Sequence, residues 1–522
     1  MAPRRIVGTY APLNLGDDVS IAQFMTYYNP DNVPPEKVAH VDTIAGRSLT
    51  YGGLRTIAAR CAWGLQRKLG LKEQDVVLAV FPNSTDFIIL AHSAWWAGVV
   101  FSAVNALSTA SDIARAIDIV KPSHVAVTGS DIEKVRAAIK LSKFGKKALP
   151  KIFTVLDRVE SLMQFPEDIA GRTPDETLPP YDLRGKSAKQ VPAFICFSSG
   201  TTGKTKGTML SHFNLIVNVL QCRIVMPSLM SSTNSEVFFA PYCHIDGFSV
   251  VVVFSMWLGS FICSPSTFDL HTFCSKMAEY RANCAHIVPP VVTHLASPDI
   301  PKKYDLSTLR TIFVSAAPLK CSPVVAVQNR EDETGGSVGK LLPGTEARLV
   351  GIDTGKDVAV GEEGELWVRG PQVTMQRGTF AGEWLRTGDI SKVDENNNFW
   401  VTDRLKEMIK YKGFQVAPSE LEDLLLQHPD VTDAAVCSTY DYAQATELPL
   451  AYVSLKGEHA ALPKEQKDKI LDGIRKWHDA RVAGYKKLRG GIFHLQNLPK
   501  TPSGKILRRY LPVKLKERES KL

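Results

Sequence analysis

Short apolar runs of strand length recur at 76–81, 99–104, 124–127, 151–156, 193–197, 285–288 and 311–314, separated by stretches with helical spacing. This alternation predicts an α/β architecture with largely parallel sheets, whose strands are apolar on both faces because helices cover them. After Val350 the texture changes to short alternating strands with glycine turns, as in Gly364-Glu365-Leu366-Trp367-Val368-Arg369-Gly370. From about Asp403 a smaller, basic α/β unit begins, so the expected boundary falls near 402–406 and divides the chain into 1–402 and 403–522. The polar, Pro-rich stretch 158–190 reads as a surface connection. Two uncharged stretches, 87–106 and 247–264, approach the length that spans a bilayer. The first contains His92, Ser93 and Asn105 and the second is broken by Gly259-Ser260, so both are expected to be a buried helix running into a buried strand, with no transmembrane segment.

With 44% hydrophobic and 22% charged residues over 522 positions, the composition is that of a globular chain and excludes disorder, collagen and coiled coil. Net charge changes the picture more. The whole chain is at +8, but residues 464–522 hold 17 Lys/Arg against 6 Asp/Glu, which leaves the rest slightly acidic. A basic terminal module follows, and a solvated face, nucleic acid and a phosphate-rich small ligand all fit it. The nine cysteines form no CxxC pair and no cluster with histidine, which points to a reducing compartment and no metal site built from them. The N-terminus has two arginines but no apolar run after them, so secretion is not expected. Ser520-Lys521-Leu522 is the tripeptide that a peroxisomal import receptor reads at a free C-terminus, and a peroxisomal location is expected from it.

Four segments carry candidate chemistry. Ser198-Ser199-Gly200-Thr201-Thr202-Gly203-Lys204-Thr205-Lys206-Gly207 follows an apolar strand, and its glycines and hydroxyls let backbone N–H groups turn toward a polyphosphate that the lysines neutralise. It is not a Walker loop, because the first glycine which that spacing requires falls on Ser198. In Trp384-Leu385-Arg386-Thr387-Gly388-Asp389 an acid after a tight turn can accept from both ribose hydroxyls. In Asp403-Arg404-Leu405-Lys406-Glu407-Met408-Ile409-Lys410-Tyr411-Lys412-Gly413-Phe414-Gln415, two lysines lie four apart and a glutamine follows a glycine, a pattern that an amphipathic segment also shows. Finally, Pro499-Lys500-Thr501-Pro502-Ser503-Gly504-Lys505 is a loop able to carry a lysine into a site and withdraw it, or simply a solvated basic loop.

Taken in this order and spacing, the segments resemble the adenylate-forming acyl-CoA ligases, most closely the 4-coumarate-CoA-ligase-like enzymes. The resemblance runs from Leu49-Thr50-Tyr51-Gly52-Gly53-Leu54 to the Lys505 loop. It implies an α/β fold with a large N-terminal domain of two α/β subdomains plus a small β-barrel-like part, followed by a small mobile α+β C-terminal domain. It also implies ATP, CoA and Mg2+ as cofactors and a carboxylic acid as substrate, with no need for nucleic acid. In such ligases the carboxylate attacks the α-phosphate of ATP, and the thiol of CoA then displaces AMP. By this resemblance Ser198, Ser199, Gly200, Thr201, Thr202, Gly203 and Lys206 hold the pyrophosphate end, Ala316, Ala317 and Pro318 flank the adenine, and Asp389 and Arg404 fix the ribose. His244 lines the junction of acyl group and phosphate, although a lone histidine before a buried helix also reads as a core residue. Lys505 bridges the carboxylate and the α-phosphate, Lys410 and Gln415 contact the acyl adenylate, Lys412 and Gly413 lie beside the CoA arm, and Lys406 is the hinge of the small domain.

The chain departs from the pattern mainly at one place, with a smaller shortfall between Gly370 and Gly382, where the family has a Gly-Tyr turn and a helix. The family's Tyr-Gly-x-Thr-Glu segment is missing, because 320–335 runs directly into Gly336-Ser337-Val338-Gly339. Lost with it are the Thr and Glu expected at the α-phosphate and magnesium; Thr345-Glu346 and the reversed Glu333-Thr334 are not substitutes. A transcript that skips coding sequence and an impaired paralogue both account for this, and poor adenylation is expected. A non-catalytic nucleotide- or acyl-CoA-binding protein and a luciferase-like adenylating enzyme are the alternative readings. A peptide-synthetase module would need a carrier domain after Lys505.

Overall fold

The computed structural model describes residues 5–8, 10–11, 13–44, 46–198, 206–265, 268–287, 291, 295, 299–314, 326–327, 337–374, 380–405, 407–411, 414–441, 446–500 and 506–513. The apolar runs become strands close to where the pattern predicts them. Val76–Val80, Val100–Ala103, His124–Thr128 and Lys151–Val155 pair in parallel, with Pro192–Ser198 parallel to Val100–Ala103. Gln164–Phe165 completes one edge of this seven-stranded sheet and Lys206–Ser211, antiparallel to its neighbour, the other. A second, six-stranded sheet has the order Thr311–Val314, Cys284–Ile287, Ser235–Val237, Phe261–Ser264, Val38–Asp42 and Ser48–Thr50.

Helices Tyr51–Arg67, Thr85–Trp96 and His212–Val225 share one continuous apolar core with strands of both sheets. Both uncharged stretches lie there. Every residue of Thr85–Trp96 is buried, and Ser84 caps it by accepting from Phe87 N at 3.3 Å. The second stretch forms the π-helix Phe248–Ser255, whose Phe248 ring stacks on Phe194 with centroids 3.6 Å apart and meets Trp95 edge-on at 5.7 Å. Among the described residues no helix is long and apolar enough to cross a membrane.

The 158–190 stretch is more than a surface connection. It adds the strand Gln164–Phe165, buries Phe165, Ile169, Tyr181 and Leu183, and lies along helix Tyr51–Arg67. Its backbone is satisfied there: Arg60 Nε donates to Gly171 O at 2.5 Å, Gly171 N to Arg60 O at 3.0 Å, and Leu178 N to Ala59 O at 3.1 Å. Gly64 lets the two approach, since a Cβ at that position would stand 1.8 Å from Ile169 O.

The third sheet is antiparallel. Glu346–Val350, Gly364–Arg369, Trp384–Val393 and Phe399–Arg404 pair in sequence around a small apolar core. It is tied to the seven-stranded sheet by the Asn214 amide, which donates to Pro371 O at 2.8 Å and Val373 O at 3.1 Å, and by Thr374 Oγ1, which donates to Met209 O at 2.8 Å. The smaller unit follows. Val431–Asp441 and Thr446–Leu455 form a long hairpin with Gly491–His494 added in parallel, and helices Pro418–Leu425 and Lys464–Asp479 share its core.

Candidate active site

Two ladders determine where several of the candidate residues lie. Lys206 stands opposite Ser198 in the antiparallel pair Pro192–Ser198 and Lys206–Ser211, so the hydroxyl- and glycine-rich segment joins two hydrogen-bonded strands at a sheet edge. The Lys206 side chain is exposed. In the third sheet Asp389 stands opposite Arg404 at the last rung of the Trp384–Val393 ladder, one residue before Leu405 N donates to Gly388 O at 2.9 Å. Asp389 is buried and its own N–H donates to Thr387 Oγ1 at 3.0 Å. Beyond 406, Lys410 stands opposite Gln415 in the hairpin of Ile409–Tyr411 and Phe414–Val416, exposed and with its N–H donating to Glu447 Oε2 at 2.8 Å. Ser199, Gly200, Thr201, Thr202, Gly203, Ala316, Ala317, Pro318, Lys406, Lys412, Gly413, Lys505 and Ser520-Lys521-Leu522 lie outside the described residues, as do the side chains of Ser198, Arg404 and Gln415.

His244 precedes the short helix Ile245–Gly247 and runs through it into the buried π-helix, while its own side chain is exposed. Its Nδ1 accepts from Asp246 N at 3.4 Å, and its carbonyl accepts from Phe248 N at 2.8 Å. It is therefore not a core residue. The side chain two positions earlier, Tyr242, is fully buried, and its hydroxyl lies 3.1 Å from His40 Nε2 and in hydrogen-bond contact with Ser264. His40 also contacts Ser264 Oγ at 3.0 Å and Thr85 Oγ1 at 3.1 Å, and burial pushes its pKa down to about 4, so a neutral ring anchors the turn that presents His244. Beside the two site segments, burial pushes the thiols of Cys196 and Cys243 up to about 12, which makes neither a nucleophile. Every described cysteine is a free thiol.

Some of the site's surroundings are visible only in three dimensions. Glu236 Oε1 accepts from His286 N at 2.6 Å and Nδ1 at 2.7 Å, forming a buried pair across the second sheet. Burial lowers the His286 pKa, but the charges of Glu236 and then Asp246 outweigh it and the net direction is up. An acid directly before the apolar Val237-Phe238-Phe239-Ala240 and a histidine within the apolar run 285–288 are the signals the chain offers. The magnesium donor is a different matter. Among the described residues no group of three or more His, Cys, Asp or Glu gathers to hold a metal. Glu346 accepts from Arg369 Nη2 with both oxygens at 2.9 Å, and Thr345 accepts from Gln372 at 2.7 Å, so this Thr-Glu pair is committed to the third sheet and does not fit the role. Glu333 and Thr334 lie outside the described residues.

Comparison with known families identifies the class to which these ladders belong. Residues 29–324 and 320–376 match the AMP-binding enzyme family and residues 420–505 its C-terminal domain. The chain belongs to the AMP-binding enzymes, the adenylate-forming acyl-CoA ligases. It is 34% identical to 4-coumarate–CoA ligase-like 8 of Arabidopsis thaliana, over 91% of this chain and 89% of that protein. It is 32% identical to peroxisomal OPC-8:0-CoA ligase 1 of the same plant, over 93% and 92%. A benzoate CoA ligase from Burkholderia xenovorans superposes with a TM-score of 0.77 at 23% identity, covering 94% of this chain and 99% of that one. The fold is that of the adenylate-forming enzymes: mixed α/β sheets in a large N-terminal part and a small C-terminal one.

Proposed function

We propose that this chain acts on an aromatic or medium-to-long aliphatic carboxylic acid, using ATP to form an acyl adenylate and CoA to convert it to a thioester, and that its adenylation step is impaired. The observation that carries the reading is the rung that places Asp389 opposite Arg404, next to the joint between the large and small units, which we propose to divide at 402/403. An acid and an arginine there are suited to a ribose and its phosphate, and Lys206 at the end of the 199–205 segment is suited to the departing pyrophosphate. His244 serves the junction of acyl group and phosphate, and Lys505 supplies the cation that neutralises the carboxylate and α-phosphate as they meet. Lys410, Lys412, Gly413 and Gln415 serve the acyl adenylate and CoA, with Lys406 as the hinge. Ser198 to Gly203 hold the polyphosphate, and Ala316, Ala317 and Pro318 flank the base. Magnesium enters with ATP in this reading, and no step is assigned to it because the expected protein donor is missing.

Two findings support impairment: the family match breaks into two segments around 320–324, where the Tyr-Gly-x-Thr-Glu segment is missing, and Thr345 and Glu346 are committed elsewhere. They also favour the second reading, a nucleotide- or acyl-CoA-binding protein without turnover. The test is carboxylate-dependent pyrophosphate exchange on the 522-residue chain with a panel of aromatic and aliphatic acids, beside titration with ATP. Weak exchange abolished by Lys505→Ala fits the ligase reading. ATP binding without exchange, unchanged by Lys505→Ala, fits the binding protein, and normal exchange overturns the impairment. Peroxisomal import through Ser520-Lys521-Leu522 is proposed with it, supported by the relative named peroxisomal; loss of import on deleting the tripeptide is the expected result.

A further inference from the structure

We infer that Arg508 is a positioning residue that makes the base of the Lys505 loop and the small-unit side of the hinge one rigid piece. This rests on the reading of Lys505 and Lys406 given above. Arg508 is largely buried and uses its whole guanidinium fork. Nε donates to Val436 O at 2.9 Å, Nη2 donates to both oxygens of Glu422 at 2.7 and 2.8 Å, and Nη1 pairs with Glu407. Glu422 is fixed in turn by Val436 N at 2.7 Å. Three separate parts of the chain therefore converge on one side chain: the residue after Lys406, the helix Pro418–Leu425 and the strand Val431–Asp441.

What Arg508 holds is the stem of the loop that carries Lys505. Lys500 and Ile506 form a β-bridge, Leu507 N donates to Pro499 O at 2.8 Å, and Lys500 Nζ pairs with Asp433 at 2.6 Å. Arg508 follows directly. On the other side of the hinge, Leu405 is hydrogen-bonded to Gly388 of the large unit, while Glu407 is held by Arg508 of the small one. Leu405 and Glu407 are thus held on either side of position 406. Helix Pro418–Leu425, which carries Glu422, also reaches back through Ser419 Oγ, which donates to Thr402 O at 2.9 Å and lies 3.1 Å from Asp403 Oδ2. Arg508 therefore joins Glu407 to the loop stem as one piece.

A bland alternative is that Arg508 merely anchors 506–513 to the sheet, where Leu511 is buried and Val513 N donates to Tyr452 Oη at 3.0 Å. Hydrogen exchange on the full chain separates the two, because Glu407 lies 101 residues from Arg508 in sequence and is joined to the loop stem by that ion pair in the coupled picture. Glu407→Gln is expected to raise exchange at Leu507 about tenfold while the amides of Thr446–Leu455 stay unchanged, and Arg508→Lys to do the same more strongly. Unchanged protection at Leu507 in Glu407→Gln, or an equal rise throughout the small unit, overturns the inference. Exchange of pyrophosphate gives a second readout: where the parent chain turns over, Arg508→Lys lowers kcat at least about tenfold with KM for ATP nearly constant, and an unmoved kcat overturns it. A parent chain that does not turn over bears on the proposed function, and the amide measurement still decides on Arg508.

Discussion

Replacing Phe248 by alanine tests how tightly the core behind the His244 turn is packed. The ring is fully buried, stacks on Phe194 at 3.6 Å, lies 6.0 Å from Phe101 and meets Trp95 at 5.7 Å. A buried phenylalanine removes roughly 150–250 Å² from water, or about 4–6 kcal/mol at ~25 cal/mol per Å² as an upper bound. Alanine keeps part of that, and the cavity left by the ring adds a further cost, so a loss of about 3–5 kcal/mol is expected. Collapse is unfavourable here because the neighbours belong to three separate elements of a close-packed core. The assay is urea unfolding followed by tryptophan fluorescence, with Trp95 close enough to report on the site directly. Phe248→Leu serves as control, with a loss under about 2 kcal/mol. An alanine variant that loses less than about 1 kcal/mol at unchanged slope would falsify the claim that this stack is a close-packed part of the core.

The remaining predictions concern other parts of the molecule. Gly64→Ala forces helix Tyr51–Arg67 away from Ile169 and is expected to lower the melting temperature by several degrees, roughly 2–3 kcal/mol; no change would mean that the 158–190 wrap is not packed as described. The His286–Glu236 pair raises the folded-state pKa of His286, so its stabilisation is complete below about pH 6.5 and is lost as the pH rises through the raised value. Stability measured from pH 6 upward is expected to fall with a slope that Glu236→Gln removes, and a variant with the parent slope would sink this account. Under the proposed function, Asp389→Asn weakens AMP binding by about ten- to a hundredfold in calorimetric titration without lowering the melting temperature, and parent-like affinity refutes its ribose role.

The apolar runs gave up the parallel strands within a residue or two because a strand covered on both faces needs no partner information to be recognised. Partnership itself was not legible. Nothing in the spacing says that Lys206 pairs with Ser198 or Asp389 with Arg404, since register depends on which strands meet. The same holds for Glu236 with His286, 50 residues apart, and Arg508 with Glu407, 101 apart. The 158–190 stretch was misjudged because its polar composition says nothing of helix Tyr51–Arg67, which satisfies its backbone. For the site, the order of the candidate segments is readable from the chain, while the roles of their residues belong to the proposed function. His244, which also reads as a core residue, is exposed in the structure, and the buried network beside it around Tyr242 draws members from 40, 85 and 264 that its spacing does not announce.

The seven-stranded sheet ends on Lys206–Ser211, an edge whose outward backbone groups could template association with another chain. Thr374 occupies the carbonyl of Met209, Asn214 draws 371–373 alongside, and Lys206 puts a charge at the open end. The strap that joins the third sheet to this one therefore also guards against aggregation. Variants that loosen it through Asn214 or Thr374 are expected to lose solubility before they lose secondary structure, which links the architecture of the large unit to its colloidal behaviour.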